Sequence, residues 1–557
     1  MDCGLTRYWN LYARTGYGAN RVGFYIKVLV GRETKMEKAV KTYHSWHEIM
    51  EINARLYSDK VFIENIDQGD RITFLGMNEW CGKVANFLKQ NNIGKHDKVT
   101  LIGKNTLETM ILYFGILKYG AILNPIFSEE SDENLYHIIN LAQPAVVFFD
   151  SERDLDQTKR PGAKWISFCD FYTNRQSEDR LSGYLDDQKT TFREHLGEVN
   201  DLGELLYTSG TTSVPKGILI SRSSLFLMTE EISERTGLTG NDRVLEYRAY
   251  NWASAQLLTI LSCMLHGATL FLCKKFSRTR FPEWLKQYNI TISSGVPAVF
   301  SMMLNEQVCL SQRDVPFLKF ITSSSAPLPA DIHRKFENMY GIQINQMMGM
   351  SEAGWMTGNP PAARKIGSVG LPMKYKEIYF RSEGGERCAP YEVGEMIVKG
   401  KSMGLCYLNG DGSRTEFPED GFCTGDLGYM DKDGYIYITG RKKDLIIRGG
   451  INISPMEITS RMLEHQALAE AVTIGAPDKI FGEEVIGFAV KKQGFQVTEE
   501  ELIAHCRKSL PDFKTPKKIF FLEALPRNQN GKVAKVELIR MLDQKFKCIE
   551  TGKRSIS

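Results

Sequence analysis

Tyr207-Thr208-Ser209-Gly210-Thr211-Thr212-Ser213-Val214-Pro215-Lys216-Gly217 packs hydroxyls, glycines and one lysine into a short turn directly after the apolar pair Leu205-Leu206. A turn of this composition offers backbone N–H groups, hydroxyl donors and a cation, which together suit a polyphosphate. It is not a P-loop of the Gly-x-x-x-x-Gly-Lys-Ser/Thr kind, because no Gly precedes Lys216 and the glycine spacing differs. Taken alone, the stretch reads equally well as a Ser/Thr/Gly-rich surface loop. The chain upstream supplies the context. Val99-Thr100-Leu101-Ile102 reads as a strand, Thr106 to Lys118 as a helix, Ala121-Ile122-Leu123 as the next strand, and Ala145-Val146-Val147-Phe148-Phe149 as another. Such alternation predicts βαβ units and a mostly parallel sheet with helices on both faces. Met77, Cys81, Val84 and Leu88 fall at helical spacing just before it and form one core stripe.

Downstream lie further segments of the same polar, glycine-containing kind: Met348-Gly349-Met350-Ser351-Glu352, Thr424-Gly425-Asp426, Gly440-Arg441-Lys442-Lys443-Asp444 running into Arg448-Gly449-Gly450-Ile451-Asn452, and Pro526-Arg527-Asn528-Gln529-Asn530-Gly531-Lys532. With the 207–217 stretch they resemble, in order and separation, the motifs of the acyl-adenylate-forming (AMP-binding) superfamily. That superfamily contains acyl- and aryl-CoA ligases, peptide-synthetase adenylation domains and beetle luciferases. Two positions depart from its pattern: Ser213 stands where the phosphate loop has a Gly, and Met348 where an aromatic ring is usual. Ser323-Ser324-Ser325-Ala326-Pro327-Leu328 is similar to the family's adenine loop, with serines for glycines.

Bulk properties agree with a globular protein of more than one domain. At 557 residues the chain exceeds a single core. Apolar content of 42%, charged content of 25% and a net charge of +3 argue against nucleic acid as the main partner. Eleven cysteines without Cys-x-x-Cys pairs fit reduced thiols and a cytoplasmic location better than a disulfide framework or a zinc site. The longest apolar stretch, Leu257 to Cys273, is broken by Thr259, Ser262, His266 and Gly267, and predicts a buried helix, a turn and a strand, not an integral membrane segment. The first 35 residues are basic and rich in Tyr and Gly, an uncertain extension that fits a transit segment poorly and is equally read as leader sequence before a start at Met36.

The resemblance implies an α/β fold: a large AMP-binding N-terminal domain over 36–440, with parallel sheets flanked by helices plus a β-barrel-like part, and a small mobile α+β domain over 441–557. Residues 151–200 are rich in charge and turn formers and read as a surface excursion. Asp431-Lys432-Asp433-Gly434 predicts a hairpin turn, not an EF-hand, whose other acidic ligands are missing.

Residue by residue, the resemblance implies the following chemistry. Thr208, Ser209, Gly210, Thr211, Thr212 and Lys216 would hold the β- and γ-phosphates of ATP. Glu352 would bind Mg²⁺, a hard ion that takes one or two carboxylates. Ser325, Ala326, Pro327, Gly349, Met350 and Ser351 would line the nucleotide. Asp426 would accept from both ribose hydroxyls, with Arg441 donating to the same sugar. Lys532 would neutralise charge on the carboxylate and α-phosphate during adenylation. Lys443 matches the hinge, and Gly449-Gly450 would line the path of the CoA thiol arm; a tight turn between strands at these glycines is compatible with both. Tyr250, Asn251 and Trp252 match the acyl pocket. Amino-acid-activating relatives keep an Asp where Asn251 stands, so the expected substrate is a small or medium carboxylic acid other than an α-amino acid, hydroxylated or aromatic acids included. A structural role for Asn251 fits equally well. The expected reaction gives acyl-AMP and then acyl-CoA, within fatty-acid or related acyl metabolism. A stand-alone enzyme that loads a carrier protein is the alternative, and a degenerate nucleotide-binding protein the third reading.

Overall fold

The helix Leu107–Tyr119 is buried along its whole length, as expected of a helix that is apolar all round. Thr106 caps its start by accepting from the Thr109 N–H at 3.3 Å, and Gly120 at φ +96° ends it in the left-handed conformation. It packs on helix Phe74–Gln90, whose Met77, Cys81, Val84 and Leu88 are fully buried, each stabilising the fold by roughly 1.5–3 kcal/mol. At the crossing Gly115 sits so close to Val84 that a Cβ would lie 2.5 Å from it. The computed structural model describes residues 45–169, 181–207, 215–527 and 533–550.

The predicted strands belong to an eight-stranded sheet in the order Arg414–Glu416, Cys406–Leu408, Gly217–Ser221, Leu202–Tyr207, Ile122–Phe127, Lys98–Gly103, Val146–Asp150, Lys164–Phe168. It is parallel from Leu202–Tyr207 to Lys164–Phe168 and antiparallel beyond. The edge strand Lys164–Phe168 corrects the reading of 151–200 as purely surface excursion: Ile166 and Phe168 are buried against the sheet. A nine-stranded sheet runs Leu371–Pro372, Gly354–Gly358, Ile344–Met350, Phe320–Ser323, Ile292–Ser293, Arg243–Glu246, Thr269–Leu272, Val61–Asn65, Asp70–Thr73, parallel in its middle and antiparallel at both ends. The apolar stretch 257–273 resolves as predicted into helix, a Gly267 turn at φ +71° and the strand Thr269–Leu272, but the helix opens with a π-helical turn, Gln256–Ile260.

The barrel-like part takes the form of an open, antiparallel four-stranded sheet, Lys376–Arg381, Gly394–Gly400, Phe422–Met430, Ile436–Arg441, whose two outer strands do not pair with each other. Its last hairpin turns at Asp431–Gly434 as expected: Asp431 Oδ1 accepts from the N–H groups of Asp433 and Tyr435, and Gly434 takes φ +86°. A 3₁₀ turn, Lys442–Asp444, then leads to the smaller C-terminal part. There the strands Ile451–Ile453, Ile446–Arg448, Gly482–Lys491 and Leu468–Asp478, with Lys518–Phe521 parallel to Gly482–Lys491, carry helices Pro455–Leu463, Glu499–Arg507 and Lys535–Glu550. The basic leader, 1–35, lies outside the described residues, and among the described residues no helix is long and apolar enough to cross a membrane.

Candidate active site

Strands Leu202–Tyr207 and Gly217–Ser221 form an antiparallel pair with Tyr207 opposite Gly217, so the 208–216 stretch connects their ends. Thr208, Ser209, Gly210, Thr211, Thr212 and Ser213 lie outside the described residues, whereas Lys216 is described and exposed. The Lys216 ammonium stands 5.3 Å from the centre of the Tyr407 ring, and the Tyr407 hydroxyl donates to Glu352 Oε1 at 2.8 Å. Burial and the neighbouring Glu352 carboxylate push the Tyr407 phenol well above its ordinary range, which keeps it a donor. Ser351 Oγ donates to the Tyr207 carbonyl at 3.4 Å. The structure thus brings the Ser351-Glu352 motif to the mouth of the 208–216 stretch. Tyr407 is 55 residues from Glu352, and strand Cys406–Leu408 delivers it by pairing beside Gly217–Ser221. No local pattern in the sequence marks it.

Gly349 lies at a register shift in the pairing of Ile344–Met350 with Gly354–Gly358, where a Cβ would come within 2.5 Å of the Gly354 carbonyl oxygen. Only glycine fits that bulge, which re-aims Met350, Ser351 and Glu352. Met348 is half-buried and packs against the apolar cluster of Ala353, Met356 and Ile436. Ser325, Ala326 and Pro327 are exposed at the end of strand Phe320–Ser323, and Ser325 holds φ +70°. A serine holds this left-handed backbone, which glycine adopts freely, at a cost of about 1 kcal/mol.

Asp426 is buried and faces Arg441 across paired strands; Arg441 Nε donates to Asp426 Oδ1 at 2.7 Å. Burial pushes the Asp426 carboxyl up from its ordinary range, and the Arg441 charge opposes that shift. Thr424, Gly425, Arg441, Lys442 and Lys443 line a recess of about 390 Å³ on the Arg441 side of this pair. Lys443 is exposed inside the 3₁₀ turn. Gly449 and Gly450, at φ +59° and +82°, form the two-residue turn between strands Ile446–Arg448 and Ile451–Ile453, so the turn reading is correct. Lys532 lies outside the described residues. Its flanks are placed: the Ala534 N–H donates to the Pro526 carbonyl at 2.8 Å, and Lys535 Nζ pairs with Asp444 Oδ2 at 2.8 Å.

In the expected acyl segment, Tyr250 is fully buried, and its hydroxyl donates towards the carbonyls of Leu101 at 2.6 Å and Ile126 at 2.9 Å. A ring held that way anchors the segment to the eight-stranded sheet. Trp252 and Asn251 are half-buried, with Asn251 Oδ1 unpartnered among the described residues. Sequence reasoning missed the support beneath them. Arg248 makes a buried two-pronged ion pair with Glu246, with Nε at 3.0 Å from Oε1 and Nη2 at 2.6 Å from Oε2, and Arg248 Nη1 reaches Ser324 Oγ at 3.4 Å.

With this arrangement in view, the comparisons with known proteins are informative. The model of the AMP-binding enzyme family matches residues 50–408, and that of the AMP-binding enzyme C-terminal domain matches 457–532. The chain belongs to the AMP-binding enzyme family. It is 30% identical over 499 residues to a sulfoacetate–CoA ligase of Cupriavidus necator, covering 88% of this chain and 96% of that one. It is 30% identical over 536 residues to a long-chain-fatty-acid–CoA ligase of Bacillus subtilis, covering 88% and 93%. ATP-bound MatB from Rhodopseudomonas palustris superposes with a TM-score of 0.80 at 26% identity, covering 88% of this chain and 98% of that one. This member of the family is therefore an ATP-dependent ligase of the AMP-forming acyl-CoA synthetase type.

Proposed function

We infer that the site runs two half-reactions with a division of labour among its residues. A carboxylate attacks the α-phosphorus of ATP, the bond to the bridging oxygen breaks, and acyl-AMP and pyrophosphate result. The CoA thiol then attacks the acyl carbon, AMP leaves, and acyl-CoA forms with release of the thiol proton. The observation that carries the assignment is the convergence of Lys216, Tyr407, Glu352 and Ser351 at the end of the Tyr207 strand.

Thr208, Ser209, Gly210, Thr211, Thr212 and Lys216 hold the departing phosphates, since stabilising spread negative charge is most of phosphoryl-type catalysis. Asp426 and Arg441 hold the ribose, Ser325, Ala326, Pro327, Gly349 and Met350 border the base, and Lys532 neutralises the carboxylate and α-phosphate in the first half-reaction only. Lys443 is the hinge between the half-reactions, with the domain boundary there, and Gly449-Gly450 leave room for the thiol arm. Asn251 and Trp252 border the acyl group. Glu352 suits Mg²⁺: one oxygen is engaged by Tyr407, the other remains for a hard cation, and no cluster of three metal-binding side chains exists among the described residues to hold such an ion without the nucleotide. Bound there, the ion would offset phosphate charge.

CoA as acceptor accords with the relatives, which are named CoA ligases; the carrier-protein alternative has no such support. Their acids range from sulfoacetate to long-chain fatty acids, so kinship leaves the substrate open. A reducing compartment such as the cytoplasm suits the nine cysteines whose side chains are described, all free thiols. The test is carboxylate-dependent ATP–pyrophosphate exchange without CoA, across aliphatic, aryl, hydroxy, dicarboxylic and amino acids, followed by CoA or holo-carrier protein as acceptor. Exchange with one class and thioester formation on CoA are expected. Exchange followed by transfer to carrier alone would overturn the CoA assignment.

A further inference from the structure

Four polar residues stand in one row across the nine-stranded sheet. Ser293 is in register with both Leu245 and Ile321, and Thr322 with Asn345, so one residue further along Glu246, Ser294, Thr322 and Asn345 line up on a single face. All four are fully buried. The face looks towards the π-helical turn Gln256–Ile260, whose Thr259 hydroxyl donates to Glu246 Oε2 at 2.9 Å. At the Glu246 end the row is saturated: the carboxylate accepts from Arg248, from the N–H groups of Tyr247 and Arg248, from Thr259 and from Ser294 Oγ at 2.8 Å.

At the other end nothing is satisfied. Thr322 Oγ1 and both polar atoms of the Asn345 amide have no partner among the described residues. A fully buried amide with neither end bonded is disfavoured against a leucine of similar volume, so its presence calls for a partner. Ser323 and Gln346 alternate to the opposite face, where Ser323 Oγ and Gln346 Oε1 are also unpartnered, but that face is sealed by the apolar cluster of Ile321, Ile344, Phe300 and Phe336. Thr322 lies one residue from the carboxyl end of its parallel strand Phe320–Ser323, the end at which open α/β sheets bind ligands, and Asn345 pairs with it in register. The Tyr250–Ser254 segment continues from the Glu246 strand of the same sheet and leads into the π-helical turn, a distortion frequent at functional sites.

We propose that Asn345 and Thr322 are specificity-determining residues that bond a second, uncharged oxygen function on the acyl substrate, making this a ligase for hydroxy or oxo carboxylic acids and not for plain alkyl acids. The inference rests on the acid–CoA ligase reading and deepens it. An amide and a hydroxyl both donate and accept, and so fit a hydroxyl or a ketone. A second carboxylate does not suit the position, because Arg248, which stands at the Glu246 end of this row, is already neutralised by Glu246. The Asn251 amide, also with a free oxygen, borders the same segment.

The experiment compares matched acids in ATP–pyrophosphate exchange: butyrate against hydroxybutyrates, oxobutyrate and succinate, and benzoate against hydroxybenzoates. The wild type is expected to favour a hydroxy or oxo acid over its unsubstituted match by at least about 100-fold in kcat/KM, because a site built to bond a hydroxyl rejects the analogue that lacks it. Asn345→Leu should bring that ratio to within about 10-fold while leaving thermal stability unchanged or raised. Thr322→Val, nearly isosteric, gives the same reading if the first variant misfolds. Preference of the wild type for the alkyl acid or for succinate, or an unchanged ratio in a folded variant, overturns the inference and leaves the ligase reading intact. Absence of exchange with every acid, alkyl acids included, overturns the ligase reading and this inference with it.

Discussion

Glu204 shows how one side chain can govern the stability of the frame around a site. It lies in the strand that leads to Tyr207, opposite Leu123 and Ile220, fully buried and with no cation paired to it among the described residues. Burial pushes its carboxyl up to about 8. The folded state therefore keeps the proton up to about that pH, while the unfolded chain releases it near the ordinary value of about 4.5. The unfolded state binds fewer protons in between, so stability is full below about pH 4.5 and falls as pH rises to 8. Glu204→Gln keeps the shape and removes the titration. Denaturant unfolding should find the two proteins alike near pH 5 and the variant more stable at pH 8.5, by on the order of 5 kcal/mol at most. Parallel pH profiles would show that Glu204 is charged in the fold. Lys532 belongs to this scale too. Lys532→Ala should lower adenylation by roughly 100-fold or more, the effect of losing an electrostatic donor, yet leave CoA transfer from supplied acyl-AMP within a few-fold. Equal loss in both half-reactions would refute its role. The Asp426–Arg441 pair could be read from their motifs because each stands in a short local pattern. Tyr407 could not, because only its strand's pairing with Gly217–Ser221 brings it to Glu352, 55 residues away in sequence. Asn345 was invisible for a related reason: in sequence it is one more polar residue, and its lack of a partner exists only in the fold.

At the scale of elements, the alternating strands and helices from 98 to 150 were legible because apolar runs and caps are local, and Thr106 and Gly120 bracket their helix as such residues do. The Gly449-Gly450 turn was legible for the same reason, since two residues at positive φ between short strands leave little choice but glycine. The edge strand Lys164–Phe168 was hidden by charged flanks, and the openness of the four-stranded sheet is a property of strand order that no single segment carries. The 3₁₀ turn Lys442–Asp444 is where elements meet function. It links the strand that ends in Arg441 to the C-terminal part, and Asp444 pairs with Lys535, just beyond the Lys532 motif. A hinge at Lys443 must change φ and ψ, and proline fixes φ. Lys443→Pro should hold ATP–pyrophosphate exchange within about threefold and lower acyl transfer to CoA by roughly 100-fold, as expected when a conformational step is blocked. Transfer at the wild-type rate in that variant would remove the hinge.

Across the whole molecule, the residues proposed to hold the phosphates and the ribose belong to different sheets, and something must fix them to each other. Helix Arg222–Thr236 follows the strand Gly217–Ser221 that leaves the phosphate stretch, and it carries Glu231. Lys376 opens the first strand of the sheet that holds Asp426 and Arg441. The two side chains are fully buried and ion-paired; Lys376 Nζ also donates to Ser402 Oγ at 2.7 Å, and Ser402 Oγ donates to Glu231 Oε2 at 3.0 Å. Tyr375 adds a hydrogen bond from its hydroxyl to Glu230 at 2.5 Å. Desolvating both charges offsets most of their attraction, so the pair contributes little net stability, but leaving one charge alone is expensive. Lys376→Met should therefore destabilise the protein by about 3–5 kcal/mol, whereas Glu231→Leu combined with Lys376→Met should return close to the wild-type value. If the pair serves only packing, the double variant should also bind ATP normally. If it sets the distance between the phosphate and ribose subsites, ATP affinity should remain weakened in a variant whose stability has recovered. Equilibrium ATP binding set beside denaturant unfolding of the same double variant separates the two, and a single variant that costs less than about 1 kcal/mol would show that the buried lysine is not charged as the ion pair requires.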